Sequence, residues 1–147
     1  RKMMQHPGAV LGLGDGGAHC GTICDGSYPT FMLTYWVRDR RRGERLPLEK
    51  VVQWLSRDTA RAVGLHDRGI IARGYKADIN IFDLDRLCLH APEVAHDLPN
   101  GGRRLVQRAS GYTATIVSGR VVYRDGQQSG DLPGRLVRGA QTAPAMH

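Results

Sequence analysis

Cysteine is scarce in this chain. Cys20, Cys24 and Cys88 are the only three, and an odd set of three excludes the closed disulfide framework that staples small secreted domains. No apolar run is long enough to span a bilayer, and no stretch shows the pattern of a secretory leader. A reducing, cytoplasmic setting without a membrane partner is therefore expected, although a chain that begins at Arg1 leaves a leader further upstream open. Aromatic residues make up only 6% of the chain, and acids are outnumbered, with 14 Asp plus Glu against 21 Lys plus Arg. Positive charge alone speaks for solubility and non-specific attraction, whereas nucleic-acid binding calls for a recognisable module or aromatics interleaved with cations. Neither is present, so no nucleic-acid partner is expected. The densest basic run, Arg38, Arg40, Arg41, Arg42 and Arg45, follows a helical segment. Cations there favour the negative end of the helix dipole, and the run reads as a solvated helix end or as a partner for acids elsewhere. There is no internal repeat, and the 41% hydrophobic content fits ordinary globular protein.

What the chain does have is a short apolar run that delivers one acid into a loop almost free of side chains: Ala9-Val10-Leu11-Gly12-Leu13-Gly14-Asp15-Gly16-Gly17-Ala18-His19. Apolar residues followed by glycines predict a buried strand, Val10 to Leu13, opening into a loop where backbone and ligand approach closely. In a barrel of alternating strands and helices, catalytic groups sit at that end of the strand. Two other readings compete. Gly12, Gly14 and Gly17 match the G-x-G-x-x-G spacing of a dinucleotide loop, but that loop needs a helix directly after the glycines. Gly21, Gly26 and Pro29 leave no room for one. Asp15-Gly16 also suits a plain hairpin turn, because aspartate and glycine tolerate positive φ.

Further along, Ser27 is placed to cap a helix with Pro29 in its first turn, running to about Arg41. Phe31, Met32, Leu33, Tyr35 and Trp36 supply its core face. A second helix is predicted from Pro47, with Leu48, Val51, Val52 and Leu55 at i, i+3, i+4 and i+7. A third, short helix from Thr59 to Val63 would be capped by Asp58 and ended by Gly64. From Gly69 the period becomes that of strands. Ile70-Ile71 and Ile79 to Phe82 flank a turn at Gly74-Tyr75. Thr113 to Val117 and Val121 to Tyr123 flank a hairpin signal at Ser118-Gly119-Arg120, and Asp125-Gly126 marks the next turn. Residues 83 to 110, rich in Pro, Gly, Asp and Arg, predict loops with one short helix, and the tail after Gly139 predicts disorder.

The runs GDGGAHCGTICDGSYPTFMLTYWVRDRRRGERLPLEKVV, DTARAVGLHDRGIIARGYKADINIFD, DLPNGGRRLVQRASGYTATIVSGRVVYRDG and LPGRLVRG occur in this order from about Met4 to Gln141. Together they resemble the C-terminal portion of the N-acyl-D-amino-acid deacylases (D-aminoacylases) of the amidohydrolase superfamily. The resemblance implies an α/β fold: the last strand and following helices of a metal-dependent (β/α)8 barrel over residues 1–68, then part of a small β-sandwich lobe over residues 69–139, with 140–147 as the tail. A barrel of this type takes about 250 residues, more than the 147 here, so a fragment or one half of a split assembly is expected, inactive by itself. The lobe would meet strands from the N-terminal part of the same enzyme, which predicts an open sheet edge here.

The resemblance also assigns chemistry. It places Asp15 at the end of the eighth barrel strand as the catalytic proton shuttle and a candidate metal ligand, with zinc as the cofactor and its other ligands upstream. His19 belongs to the GAH run. A lone histidine is commonly a hydrogen-bonded structural group, and the alternative carried for it is a substrate contact. His19, Cys20 and Cys24 do not make a zinc site, since a fourth ligand and the Cys-x-x-Cys spacing are both lacking. Asp25 and Ser27 are accounted for by capping. Arg68 is expected to hold a carboxylate in bidentate fashion, and Asp78 to serve a turn. The implied partners are a small N-acyl amino acid, the N-terminal part of the enzyme and a second copy in a homo-oligomer. Two alternatives stay open: hydrolysis of a different, cyclic amide or a deamination on the same scaffold, and a non-catalytic lobe that completes a partner chain.

Overall fold

The computed structural model describes residues 1–12, 14 and 19–145. The chain forms two compact units built from interleaved stretches. A hairpin unit comprises Leu13–Leu46 and Asp83–Gly111, and a sheet unit comprises Arg1–Gly12, Pro47–Phe82 and Tyr112–His147. Two helices and antiparallel sheets make the chain α/β.

In the hairpin unit, a 3-10 turn at Asp25–Ser27 leads into helix α1, which is α-helical over Tyr28–Phe31 and of the wider π type over Met32–Asp39. Thr34 accounts for the widening. Its hydroxyl donates to the Thr30 carbonyl at 3.0 Å and the Phe31 carbonyl at 3.4 Å, competing with the backbone ladder inside the helix. Thr30, Met32, Leu33 and Thr34 are buried, while Phe31 stacks on Tyr35 with centroids 5.1 Å apart. The helix stops at Asp39 rather than Arg41, because Arg40 turns extended (φ −61°, ψ 122°) and its N–H donates to the Tyr35 carbonyl. The Arg40 guanidinium then lies 4.3 Å from the Trp36 ring centroid, a cation–π contact.

Residues 83–110 are not the loops that their composition predicts. They hold β2 (Cys88–Leu89) paired with β5 (Ala109–Ser110), and β3 (Glu93–Leu98) paired with β4 (Gly102–Val106) through a 3-10 turn at Pro99–Gly101. The strands are short, and cross-strand charge helps hold them: Arg104 makes two 2.7 Å hydrogen bonds to the Asp97 carboxylate, and Arg108 makes one of 2.8 Å to Glu93. His96 lies within β3, not in a loop.

In the sheet unit, Pro47 is extended and precedes helix α2, residues 48–62, which is continuous through Leu48–Gln53, Trp54–Asp58 and Thr59–Ala62. The separate third helix therefore does not exist. Asp58 is helical (φ −72°, ψ −37°), and its carboxylate accepts from Gln53 and Arg57 rather than capping a new helix. Val51 is fully buried and Trp54 nearly so, while Val52 is exposed. At the C-terminal end, Gly64 N–H donates to Arg61 and Leu65 N–H to Ala60, the double bond pattern of a glycine-ended helix.

β1 (Ile79–Phe82), β6 (Tyr112–Val117), β7 (Arg120–Arg124) and β8 (Gln127–Gln128) form one antiparallel sheet in the order β1-β6-β7-β8. Both predicted turns are present. Ser118 and Gly119 (φ 51° and 79°), and Asp125 and Gly126 (φ 47° and 80°), have the two positive φ values of a hairpin turn whose twist matches its strands. Ala114 at the centre of β6 is buried. Among the described residues, β1 has β6 as its only strand neighbour.

Two further expectations need correction. Residues 10–12 are not strand and Val10 is 55% exposed, since they find no neighbouring strand to bond among the described residues. Ile70 and Ile71 are likewise outside any strand, and Ile71 is exposed. Near the end of the chain, Gln141 N–H donates to Gly64 O at 2.8 Å and His66 N–H donates to Gln141 O at 3.0 Å.

Candidate active-site loop

The residues that follow Gly12 belong to the hairpin unit. Asp15, the residue on which the catalytic and metal expectations fall, lies outside the described residues. The structure does describe both flanks. On one side, Gly14 sits so close to the Asp25–Ser27 turn that an added Cβ would meet Gly26 Cα at 2.9 Å. On the other, the His19 carbonyl accepts from the N–H groups of Thr22 (2.8 Å) and Ile23 (2.9 Å), closing a tight turn. The next residue is fixed as well, because the Cys20 carbonyl accepts the Leu105 N–H of β4 at 2.7 Å.

The His19 side chain is exposed. Cys20 and Cys24 are half-buried free thiols, and Cys88 is an exposed one. Ser27 does not cap α1, since its own φ/ψ are already helical. Its hydroxyl instead meets the Gln107 side-chain oxygen and the Cys24 carbonyl, and Gln107 in turn donates to the His90 carbonyl at 2.9 Å. A serine read as a cap thus joins the loop to the chain after β4.

Arg38, in the basic run at the end of α1, is not simply solvated. Its Nη1 donates to the carbonyls of Leu84, Asp85 and Leu87, while its Nε and Nη2 hold Asp39 at 2.6 and 2.8 Å. The hydrogen bond from Arg38 draws the Asp39 carboxyl below its ordinary value, and the same bond raises the Arg38 guanidinium. No spacing in the sequence signals this, because the three carbonyls belong to backbone more than forty residues away.

In the sheet unit, the structure brings Arg68 together with Asp67 and Asp78. Arg68 grips Asp67 through two bonds of 2.8 and 3.0 Å and reaches Asp78 at 3.3 Å. The other Asp78 oxygen accepts the Ser118 N–H at 2.8 Å, locking the β6–β7 turn to the start of β1. The Arg68 hydrogen bond depresses the Asp67 carboxyl. Among the described residues, no three His, Cys, Asp or Glu side chains cluster as a metal ion would require. These residues by themselves do not fit a zinc centre.

The profile of the Amidohydrolase family matches residues 1–123. The chain is 33% identical over 141 residues to an N-acyl-D-glutamate deacylase of Alcaligenes xylosoxydans xylosoxydans, covering 94% of this chain and 26% of that protein. A dihydroorotase of Lactobacillus acidophilus is also 33% identical, over 66% of this chain and 23% of its own length. So is a 5-methylthioadenosine/S-adenosylhomocysteine deaminase of Desulfitobacterium hafniense, over 54% and 18%. The chain spans about a quarter or less of the length of these curated relatives. No solved structure is a significant match. With most of its length under one family profile and relatives of that kind at one level of identity, the chain belongs to the amidohydrolase family.

Proposed function

We propose that this chain supplies the proton-transferring carboxylate of a hydrolase that cleaves N-acyl-D-amino acids to a carboxylate and the free D-amino acid, and that Asp15 is that group. The observation that carries this reading is the GDGGAH segment inside a match spanning 94% of the chain to a relative named for deacylating N-acyl-D-glutamate. The anchored flanks at Gly14 and at the His19 turn support it, because a shuttle has to be held at hydrogen-bond reach of the reacting atoms. Amide hydrolysis needs a nucleophilic water and an acid for the departing nitrogen. In this reading Asp15 takes the proton as water oxygen bonds to the acyl carbon, then gives it to the nitrogen as the C–N bond breaks.

Residues up to Leu13 would then end a (β/α)8 barrel, and the later strands would belong to a sandwich lobe completed by the N-terminal part of the longer protein. A zinc ion belongs to this proposal with ligands from that same part, Asp15 adding one carboxylate. His19 is the proposed substrate contact, and a homo-oligomer in the cytoplasm is the proposed setting. No helix among the described residues is long and apolar enough to cross a membrane.

The full-length protein, assayed on matched N-acetyl D- and L-amino acids, should hydrolyse the D series. Equal rates, or none on either, reject the stereochemical assignment. Asp15→Asn should lower turnover by about 10²–10⁴-fold, the usual contribution of a general acid–base group, with bound metal largely retained by the other ligands. Full activity in that variant removes Asp15 from the mechanism. A second reading, hydrolysis of a cyclic amide or a deamination, is favoured by the equal identity to the dihydroorotase and the deaminase. Turnover of such a substrate without deacylation would establish it.

A further inference from the structure

One feature of the sheet unit has no part in the deacylation reading. Beside the β6–β7 turn lies a cleft of about 510 Å³ lined by Lys76, Ser118, Arg120 and Arg135, with Pro133 and Gly134. Three cations face one space. Among the described residues none of the three has a carboxylate within ion-pair distance, whereas Arg38, Arg57, Arg68, Arg104 and Arg108 all do. Asp78, the acid that touches the turn, is already engaged: one oxygen faces Arg68 and the other accepts the Ser118 N–H. Asp131 lines the neighbouring groove with Val117 and Tyr123 rather than this cleft. The Ser118 N–H is held by Asp78 and the Gly119 N–H by the Ala77 carbonyl, while the Ser118 hydroxyl has no partner among the described residues.

We propose that this cleft binds a small phosphate-bearing anion. Guanidinium groups match the oxygens of phosphate through paired donors, and a lysine adds a mobile point charge. The serine hydroxyl supplies a neutral donor for a further oxygen. Three cations around one space, none in an ion pair among the described residues, also repel one another, and a dianion relieves that repulsion. The inference stands apart from the role of Asp15.

Hydrogen exchange on the full-length protein tests it, because the readout is local and a metal centre elsewhere would not move it. Inorganic phosphate, titrated at constant ionic strength, should slow exchange saturably in peptides covering residues 117–121 and 131–136. Sodium chloride at the same ionic strength should not. Arg120→Gln with Arg135→Gln should weaken the half-saturation concentration by about tenfold or more, in line with the loss of charge-assisted bonds. A second variant does not depend on removing charge. A Cβ at Gly134 would meet nothing within 4 Å, so Gly134→Glu fits the fold, places a carboxylate in the cleft and should abolish the protection. Absence of saturable protection, protection unchanged in either variant, or protection by succinate but not phosphate overturns the proposal.

Discussion

Gly111 joins β5 to β6 with φ at +93°, and an added Cβ would stand 2.6 Å from Leu87 Cα, 2.7 Å from Leu87 N and 2.7 Å from Arg86 O. All three neighbours are backbone, Leu87 is fully buried, and the segment is also held by Arg38 through the Leu84, Asp85 and Leu87 carbonyls. The wall therefore cannot recede without giving up those bonds. Gly111→Ala should cost about 1–2 kcal/mol for left-handed backbone and a further 1–3 kcal/mol for overpacking, about 2–5 kcal/mol in all. Gly119 isolates the first term, because its φ is +79° but an added Cβ there meets nothing within 4 Å. Gly119→Ala should cost only about 1–2 kcal/mol. Thermal and urea midpoints of the two variants measured side by side provide the assay. If the variants melt together, or Gly119→Ala is the worse, close approach at Leu87 is not what Gly111 serves.

Acid should weaken the fold. The Asp39 and Asp67 carboxyls are lowered mainly by arginine hydrogen bonds. Asp58 is pushed up by burial but lowered on balance by Gln53 and Arg57. Groups depressed in the folded state stabilise it fully above the ordinary carboxylate range, near pH 4, and lose that contribution as pH falls through the lowered values. Urea midpoints should hold steady above about pH 5 and drop below about pH 4, with a shallower drop in Asp67→Asn; an equal drop in that variant removes Asp67 from the account. Ser27→Ala and Gln107→Ala should be non-additive by about 0.5 kcal/mol or more in a double-mutant cycle, because the two side chains meet each other. Strict additivity would show that the Ser27–Gln107 contact contributes nothing to stability.

The features legible in the sequence are those decided locally. Ser118-Gly119 and Asp125-Gly126 announce their turns because positive φ favours such residues, and the β6–β7 hairpin follows from them. Gly64 ends α2 for the same kind of reason. The carboxylate grip of Arg68 could be read because its main partner is the adjacent Asp67. What escaped depends on distant partners. β2 to β5 are short strands whose sequences carry too many charges and breakers to look like strands, and they exist by pairing. The continuity of α2 through Asp58 is the exception, a local miss: Asp58 keeps helical φ/ψ and its carboxylate bonds Gln53 and Arg57 rather than capping a new helix. At the candidate site the motif around Asp15 was plain from residue types, while the anchoring of its loop by Leu105 and Gln107 was not.

The interleaving of the two units bears on how the protein is made. The sheet unit draws on three separate stretches, and β1 pairs with a strand that lies beyond the whole second stretch of the hairpin unit. During synthesis Ile79 to Phe82 must leave the ribosome and wait for Tyr112 to Val117 before its ladder can close, and such delayed non-local pairing slows folding and prolongs exposure of apolar side chains. For the same reason no single scission, and no recombination crossover, between residues 47 and 111 would release either unit as an intact, separately inherited piece.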